Sequence, residues 1–303
     1  MPDDAAPASR TSLESASVSA AGGRPDNQDR CGEGATGGGG RAYVVADGLG
    51  GHAAGEFAAE RAVAALLASL AAAPALGRDA LAQAFARAGA ALHDAQRERP
   101  AAFGCRTTAV VLAIEEGRAL WAHVGDSRLY LLRGGRVQLH TRDHSVPQAL
   151  VDAGALAQEE VRHHPDRNRV LRSIGGDEPV EPAFAPAPVA LEPGDAFLLC
   201  TDGFWELVPE AAMESAWAEA SGPADWLRRM ERMLLAEARG PYDNYSATAV
   251  VVAAPVAGRP EPATRRPGWA ARLRARLGAT TRPAPGTGLH SAPIPAAGAD
   301  GPS

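Results

Sequence analysis

The sequence predicts an α+β fold in which antiparallel sheets are layered with helices, and three observations carry that prediction. Short apolar segments ended by Gly, Asp or Pro recur through the first 253 residues. Some are joined by turns too tight for a crossover connection. Long helical stretches stand between groups of strands instead of alternating with single ones, which favours two antiparallel β-sheets flanked by pairs of helices over a parallel α/β sheet.

In chain order, strands are expected at 15–20, 42–46, 107–114, 119–124, 128–132, 195–200 and 247–253, each rich in Val, Leu or aromatic residues. Glu116-Gly117 and Gly134-Gly135 follow strands closely enough to close hairpins. Helices are expected at 53–73, 79–97, 146–153 and 225–238. No fixed-period repeat is visible.

Composition narrows the chemistry. The chain's 303 residues are ample for a core, and a net charge of −6 argues against a nucleic-acid binder. All 30 basic residues are arginine, which excludes Schiff-base lysines and the P-loop lysine. Cys31, Cys105 and Cys200 have no C-x-x-C spacing, so neither a disulfide framework nor a thiolate zinc site is expected. None is followed six positions later by Arg, the positions being Gly37, Val111 and Glu206, so a thiolate phosphatase is excluded. With neither a basic start nor an apolar run of membrane-spanning length, a soluble cytoplasmic protein is the expectation.

Composition breaks near Ala254. Residues 254–303 hold nine Pro, seven Gly and seven Arg against two acidic residues, leaving the rest of the chain at −11. The predicted organisation is a flexible start at 1–12, a folded domain at 13–253 and a disordered tail at 254–303. Within the tail, Trp269, Leu273 and Leu277 recur at helical spacing among arginines. This stripe is open to two readings: a dock for an acidic partner or membrane surface, or an Arg-rich linker with chance apolar residues.

Four aspartates stand at strand ends or turns: Asp47 before Gly48, Asp126 after Gly125, Asp202 before Gly203, and Asp243 before Asn244. A carboxylate projected from a rigid strand edge is a hard oxygen ligand, suited to Mg²⁺ or Mn²⁺; a single Asp-Gly is more often a plain turn. The run Gly48-x-Gly50-x-x-Ala53 also meets the dinucleotide fingerprint. The second strand with its acidic end is missing, however, and Asp47 would repel a pyrophosphate. Near the start, Arg24-Pro-Asp-Asn-Gln28-Asp29 places a planar, permanently charged fork beside a carboxylate.

Taken in order, Arg24-x-x-Asn27-Gln28-Asp29, Ala46-Asp47-Gly48-Leu49-Gly50-Gly51-His52, Arg106-Thr107-Thr108, Val124-Gly125-Asp126-Ser127-Arg128, Thr141-Arg142-Asp143-His144-Ser145, Thr201-Asp202-Gly203 and Asp243-Asn244-Tyr245-Ser246-Ala247-Thr248 resemble the metal-dependent Ser/Thr protein phosphatase family, type 2C, in its bacterial branch. The resemblance covers residues 13–253. It implies a β-sandwich flanked by helix pairs and a metal-activated water that hydrolyses phosphoserine and phosphothreonine without a phosphoenzyme. Asp47 would bridge two Mn²⁺ or Mg²⁺ ions, the Gly48 carbonyl would touch one, and Asp202 and Asp243 would complete the pair. Asp126 matches the position that helps hold a third ion. Arg24 would grip the phosphate, with Asp29 acting from behind the metal ligands. Phosphoproteins made by a Ser/Thr kinase are the implied substrates.

Two positions depart from the family pattern. Gln28 stands where many members have Glu, and Leu49 stands where eukaryotic members carry a His proposed as general acid, a role leucine cannot fill. His52 is either its substitute or a helix cap. The segment between His144 and Gly176 occupies the place of the family's flap, where His163-His164 reads as solvated. Arg162, Arg167, Arg169 and Arg172 either attract phosphopeptides or are ordinary surface charge. The competing functions are a phosphatase-fold binding module without catalysis and, on the glycine match alone, a nucleotide-dependent oxidoreductase.

Overall fold

Two left-handed turns begin the architecture. Glu116 and Gly117 have φ of 49° and 71°, and Gly134 and Gly135 have 61° and 76°. Positive φ at both central residues is what a type I′ turn needs, and its twist matches that of paired strands. The computed structural model, which describes residues 12–50, 53–99 and 102–253, accordingly shows hairpins at both places. His52, the tail stripe of Trp269, Leu273 and Leu277, and residues 1–11 lie outside the described residues.

The element order is β1 (Leu13–Ala20), β2 (Asp29–Ala35), β3 (Arg41–Leu49), α1 (Ala53–Ala72), α2 (Arg78–Glu98), β4 (Arg106–Thr107), β5 (Ala109–Glu115), β6 (Arg118–Val124), β7 (Arg128–Arg133), β8 (Arg136–His140), α3 (Val146–Asp152), β9 (Ala183–Phe184), β10 (Val189–Ala190), β11 (Ala196–Cys200), α4 (Asp202–Trp205), α5 (Glu210–Ala218), α6 (Pro223–Glu237) and β12 (Tyr245–Val252). One sheet runs β1-β12-β11-β7-β8, the other β10-β6-β5-β3-β2 with β4 added on β3 and β9 on β6. Every pairing between these strands is antiparallel.

The two-residue period of a strand divides the core. Leu129, Leu131, Phe197, Leu199, Val250 and Val252 join the cluster that holds the second sheet, α1 and α2. Their neighbours Tyr130, Leu132, Ala196, Leu198, Ala249 and Val251 point the other way, into a cluster with α5 and α6. The result is four layers, a helix pair on each outer face. Trp226, fully buried on α6, donates its indole N–H to the Met213 carbonyl of α5 at 2.9 Å and so ties the outer pair together. No described helix is long and apolar enough to cross a membrane.

The expected run at 107–114 divides into β4 and β5. Thr108 leaves the ladder because its N–H and hydroxyl are both committed to Asp47, at 2.8 and 3.2 Å. β2, β8, β9, β10, α4 and α5 add to the expected elements. β2, Asp-Arg-Cys-Gly-Glu-Gly-Ala, has none of the Val, Leu or aromatic residues that mark the expected strands, and a Cβ on Gly32 would fall 2.5 Å from Val63 Cγ1 of α1. Glycine there marks close helix approach.

Candidate active site

The site is assembled at the ends of strands from both sheets. β2 and β3 pair in a register that sets Asp29 opposite Asp47. The Asp47 backbone is clamped: its carbonyl accepts from Thr108 N at 2.8 Å and Thr107 Oγ1 at 2.7 Å. At Gly48 a Cβ would fall 2.0 Å from the Gly55 carbonyl oxygen, so only glycine lets α1 start against this strand end. β11 and β12 deliver Asp202 and Asp243. Each turns Oδ1 to the amide that follows it, Gly203 N at 2.7 Å and Asn244 N at 2.8 Å.

Arg24 reaches this group from the loop after β1 and donates from Nη2 to Asp243 Oδ2 at 3.0 Å. Asn244 holds that loop in place. Its Nδ2 donates to the Ala21 and Asp26 carbonyls, both at 2.8 Å, and its Oδ1 accepts from Gln28 N at 2.9 Å. A cleft of about 370 Å³ results, with Arg24, Gln28, Asp47, Gly48, Asp202 and Asp243 on its wall. Leu49 also lines it.

Asp126 and Asp29 lie behind the wall, each 1% exposed. Trp205 donates its indole N–H to the Asp126 carbonyl at 3.0 Å, and Ser127 Oγ lies 2.7 Å from Thr108 Oγ1, which holds the Asp126 turn against the Asp47 clamp. Among the described residues, neither carboxylate oxygen of Asp126 has a hydrogen-bond partner. Asp29 accepts from Thr201 Oγ1 at 2.8 Å through Oδ2, while its Oδ1 has no partner among the described residues.

The electrostatics follow from burying like charges together. Burial and then the neighbouring carboxylates, Asp202 first, hold Asp47 well above the usual carboxylate range. Asp202 is raised in the same way by burial, Asp126 and Glu206. Burial pushes Asp126 up to about 7, with Asp143 adding to the shift, and burial likewise pushes Asp29 to about 7. Hard carboxylate oxygens that repel one another, two of them unpartnered on Asp126, fit a divalent cation by chemistry and by charge. Among the described residues, no three His, Cys, Asp or Glu side chains converge on one coordination point, and Arg24 occupies Asp243 Oδ2.

Glu206 is the site member that sequence reading missed. It stands one helical turn beyond Asp202, and that i,i+4 spacing is the signal that points to it. Arg167 Nε lies 3.0 Å from its Oε1. The flap arginines are committed within the chain: Arg162 to Glu210, Arg167 to Glu206, Arg169 to Asp166 and Arg172 to Glu181. His163 is exposed, and His164 accepts from Asp166 N at 3.1 Å.

A stability profile tests the carboxylate cluster. An aspartate raised to about 7 keeps its proton in the folded protein where the unfolded chain, titrating near 3.8, has lost it. The folded state then binds more protons, and stability falls as pH rises from about 4 through about 7. In chelator, the urea midpoint is expected to be lower at pH 8 than at pH 6.5, and Mn²⁺ is expected to reverse the loss. An equal or higher midpoint at pH 8 in chelator would contradict the cluster.

The family model for protein phosphatase 2C matches residues 20–237 of the chain. The serine/threonine protein phosphatase PstP of Mycobacterium tuberculosis is 38% identical over 196 residues, which are 64% of this chain and 36% of PstP. The chain thus matches only about a third of that relative's length. A putative protein phosphatase 2C-type of Streptococcus pyogenes is 32% identical over 212 residues, 66% of this chain and 81% of that protein. Among solved structures, the catalytic domain of PstP in complex with two manganese ions superposes with a TM-score of 0.69 at 30% identity, covering 80% of this chain and 99% of that one.

Proposed function

Because the chain belongs to the protein phosphatase 2C family, we propose that its acidic cleft takes two divalent cations, Mn²⁺ or Mg²⁺, and hydrolyses phosphoserine and phosphothreonine in proteins. The observation that carries this reading is a set of mutually repelling carboxylates, Asp47, Asp202 and Asp243 on the wall of a solvent-open cleft and Asp126 buried behind it. A structural role would leave such charges paired.

The residues divide the work. Asp47, the Gly48 carbonyl, Asp202 and Asp243 would hold the two ions, and Asp126 would help hold a third. When bound, the ions supply an activated water nucleophile and neutralise charge on the transferring phosphoryl group. Thr107 and Thr108 keep the Asp47 backbone from shifting, and Asn244 fixes the Arg24 loop. Arg24 binds the phosphate oxygens with its fork once it leaves Asp243. Asp29 braces Thr201, the residue before Asp202. Leu49 gives the leaving hydroxyl no proton, so no acid is assigned from this strand end.

The reading requires direct attack by water. Acid quenching during turnover of a ³²P-labelled phosphoprotein is expected to leave no label on the enzyme; a trapped phosphoenzyme would overturn it. Arg24→Ala is expected to raise KM about tenfold or more, on the scale of a charge-assisted hydrogen-bond pair. Metal affinity should not fall, since the guanidinium shares Asp243 Oδ2 with the metal proposed there. An unchanged KM would contradict the phosphate role.

A further inference from the structure

A second cavity, of about 470 Å³, adjoins the acidic cleft, and Arg106, Leu171 and Arg172 line it. Its connection to the cleft is set by strand register. β4 pairs with the end of β3 so that Thr107 faces Gly48 and Arg106 faces Leu49. Gly48 and Leu49 line the cleft itself, so Arg106 stands one register step from it, across a ladder whose facing residues are about 5 Å apart.

Arg106 is exposed, and among the described residues its guanidinium has no hydrogen bond, ion pair or ring contact. Arg172, by contrast, lies 4.0 Å from Glu181. Asp177, Glu178 and Glu181 line the same cavity, yet none pairs with Arg106. Gly176 leaves room beside the arginine's stem, a Cβ there falling 3.9 Å from Arg106 Cδ. Leu171, 58% exposed, offers an apolar surface on the same lining. A free guanidinium fork beside an apolar side chain, next to a site that takes an extended phosphopeptide, matches an acidic side chain close to the phosphorylated residue.

We propose that Arg106 forms a specificity subsite that selects substrates with an Asp, Glu or second phosphoresidue within three positions of the phosphoserine or phosphothreonine. The reach follows from the rise of about 3.3 Å per residue in an extended chain. The proposal rests on the phosphatase reading of the cleft. The subsite acts on partner choice, as charges at the rim of an interface do, and its effect weakens with salt.

The test uses the full chain with Mn²⁺ and phosphothreonine peptides otherwise built of alanine. Glu, phosphoserine or Lys is placed in turn at each of the three positions on either side. The readout is the ratio of kcat/KM for each peptide to that for the all-alanine peptide. At one position the Glu ratio is expected to be about threefold to tenfold, with phosphoserine higher, falling as salt is raised. Arg106→Gln should bring that ratio to one, Arg106→Lys should keep part of it, and Arg106→Glu should transfer the preference to Lys. Ratios of one at every position in the wild type, or a Glu preference that survives Arg106→Glu, would overturn the subsite alone. No turnover of the all-alanine peptide would overturn the phosphatase reading with it.

Discussion

Asp47→Asn is expected to lower kcat by about three orders of magnitude. Asp47 is the carboxylate proposed to touch both ions, and a binuclear site supplies several kcal/mol of transition-state stabilisation, each 1.4 kcal/mol of which is a factor of about ten. Asp126 lies off the cleft wall and is proposed to help hold only a third ion, so Asp126→Asn is expected to cost far less at saturating Mn²⁺. Stability should move the other way. In chelator, Asp47→Asn removes a carboxyl that must either repel Asp202, Asp29 and Asp126 or be held protonated at a cost, so the variant should unfold at higher urea than the wild type. Equal losses of kcat at the two positions, or an Asp47→Asn protein less stable in chelator, would contradict these assignments.

The largest expected loss of stability lies at Asp143. Arg128 donates from Nε and Nη2 to its two oxygens, both at 2.8 Å, with the paired side chains 4% and 2% exposed. The guanidinium also donates to Tyr130 Oη at 3.0 Å and lies 3.5 Å from the centre of the Trp205 ring. Asp143→Ala would strand that charge in the core, at a cost of about 3–5 kcal/mol. For a domain of this size each kcal/mol lowers Tm by about 2–4 °C, so a fall of about 10 °C is expected by calorimetry. Replacing both partners by apolar residues, Arg128→Met with Asp143→Leu, should be less harmful than Asp143→Ala alone. Trp205 also holds the Asp126 carbonyl, so this buried pair supports the turn that carries Asp126.

The strand-end aspartates were legible in sequence because their signal is local, an apolar run ending in Asp beside Gly. The hairpins at Glu116-Gly117 and Gly134-Gly135 were legible for the same reason, since the turn chemistry is complete within two residues. β2 was not, because its glycines answer to Val63 and Leu67 on a helix more than thirty residues away. The ion pair between Arg24 and Asp243 spans 219 residues and has no local signature. Arg128 and Asp143 both lay in recognised motifs, yet only packing shows that they are each other's partners. The arginines around 162–172 showed why charge alone is ambiguous: each proved to have an acidic partner, while Arg106, in a motif of its own, has none among the described residues.

On the proposed reading, the carboxylate cleft works only with divalent cations. This is tested most directly by phosphate release from a phosphothreonine peptide, measured on the full chain after exhaustive chelation and again after Mn²⁺ is added. No release above background is expected in chelator, and full recovery is expected with Mn²⁺. Undiminished release by the demetallated protein would contradict it.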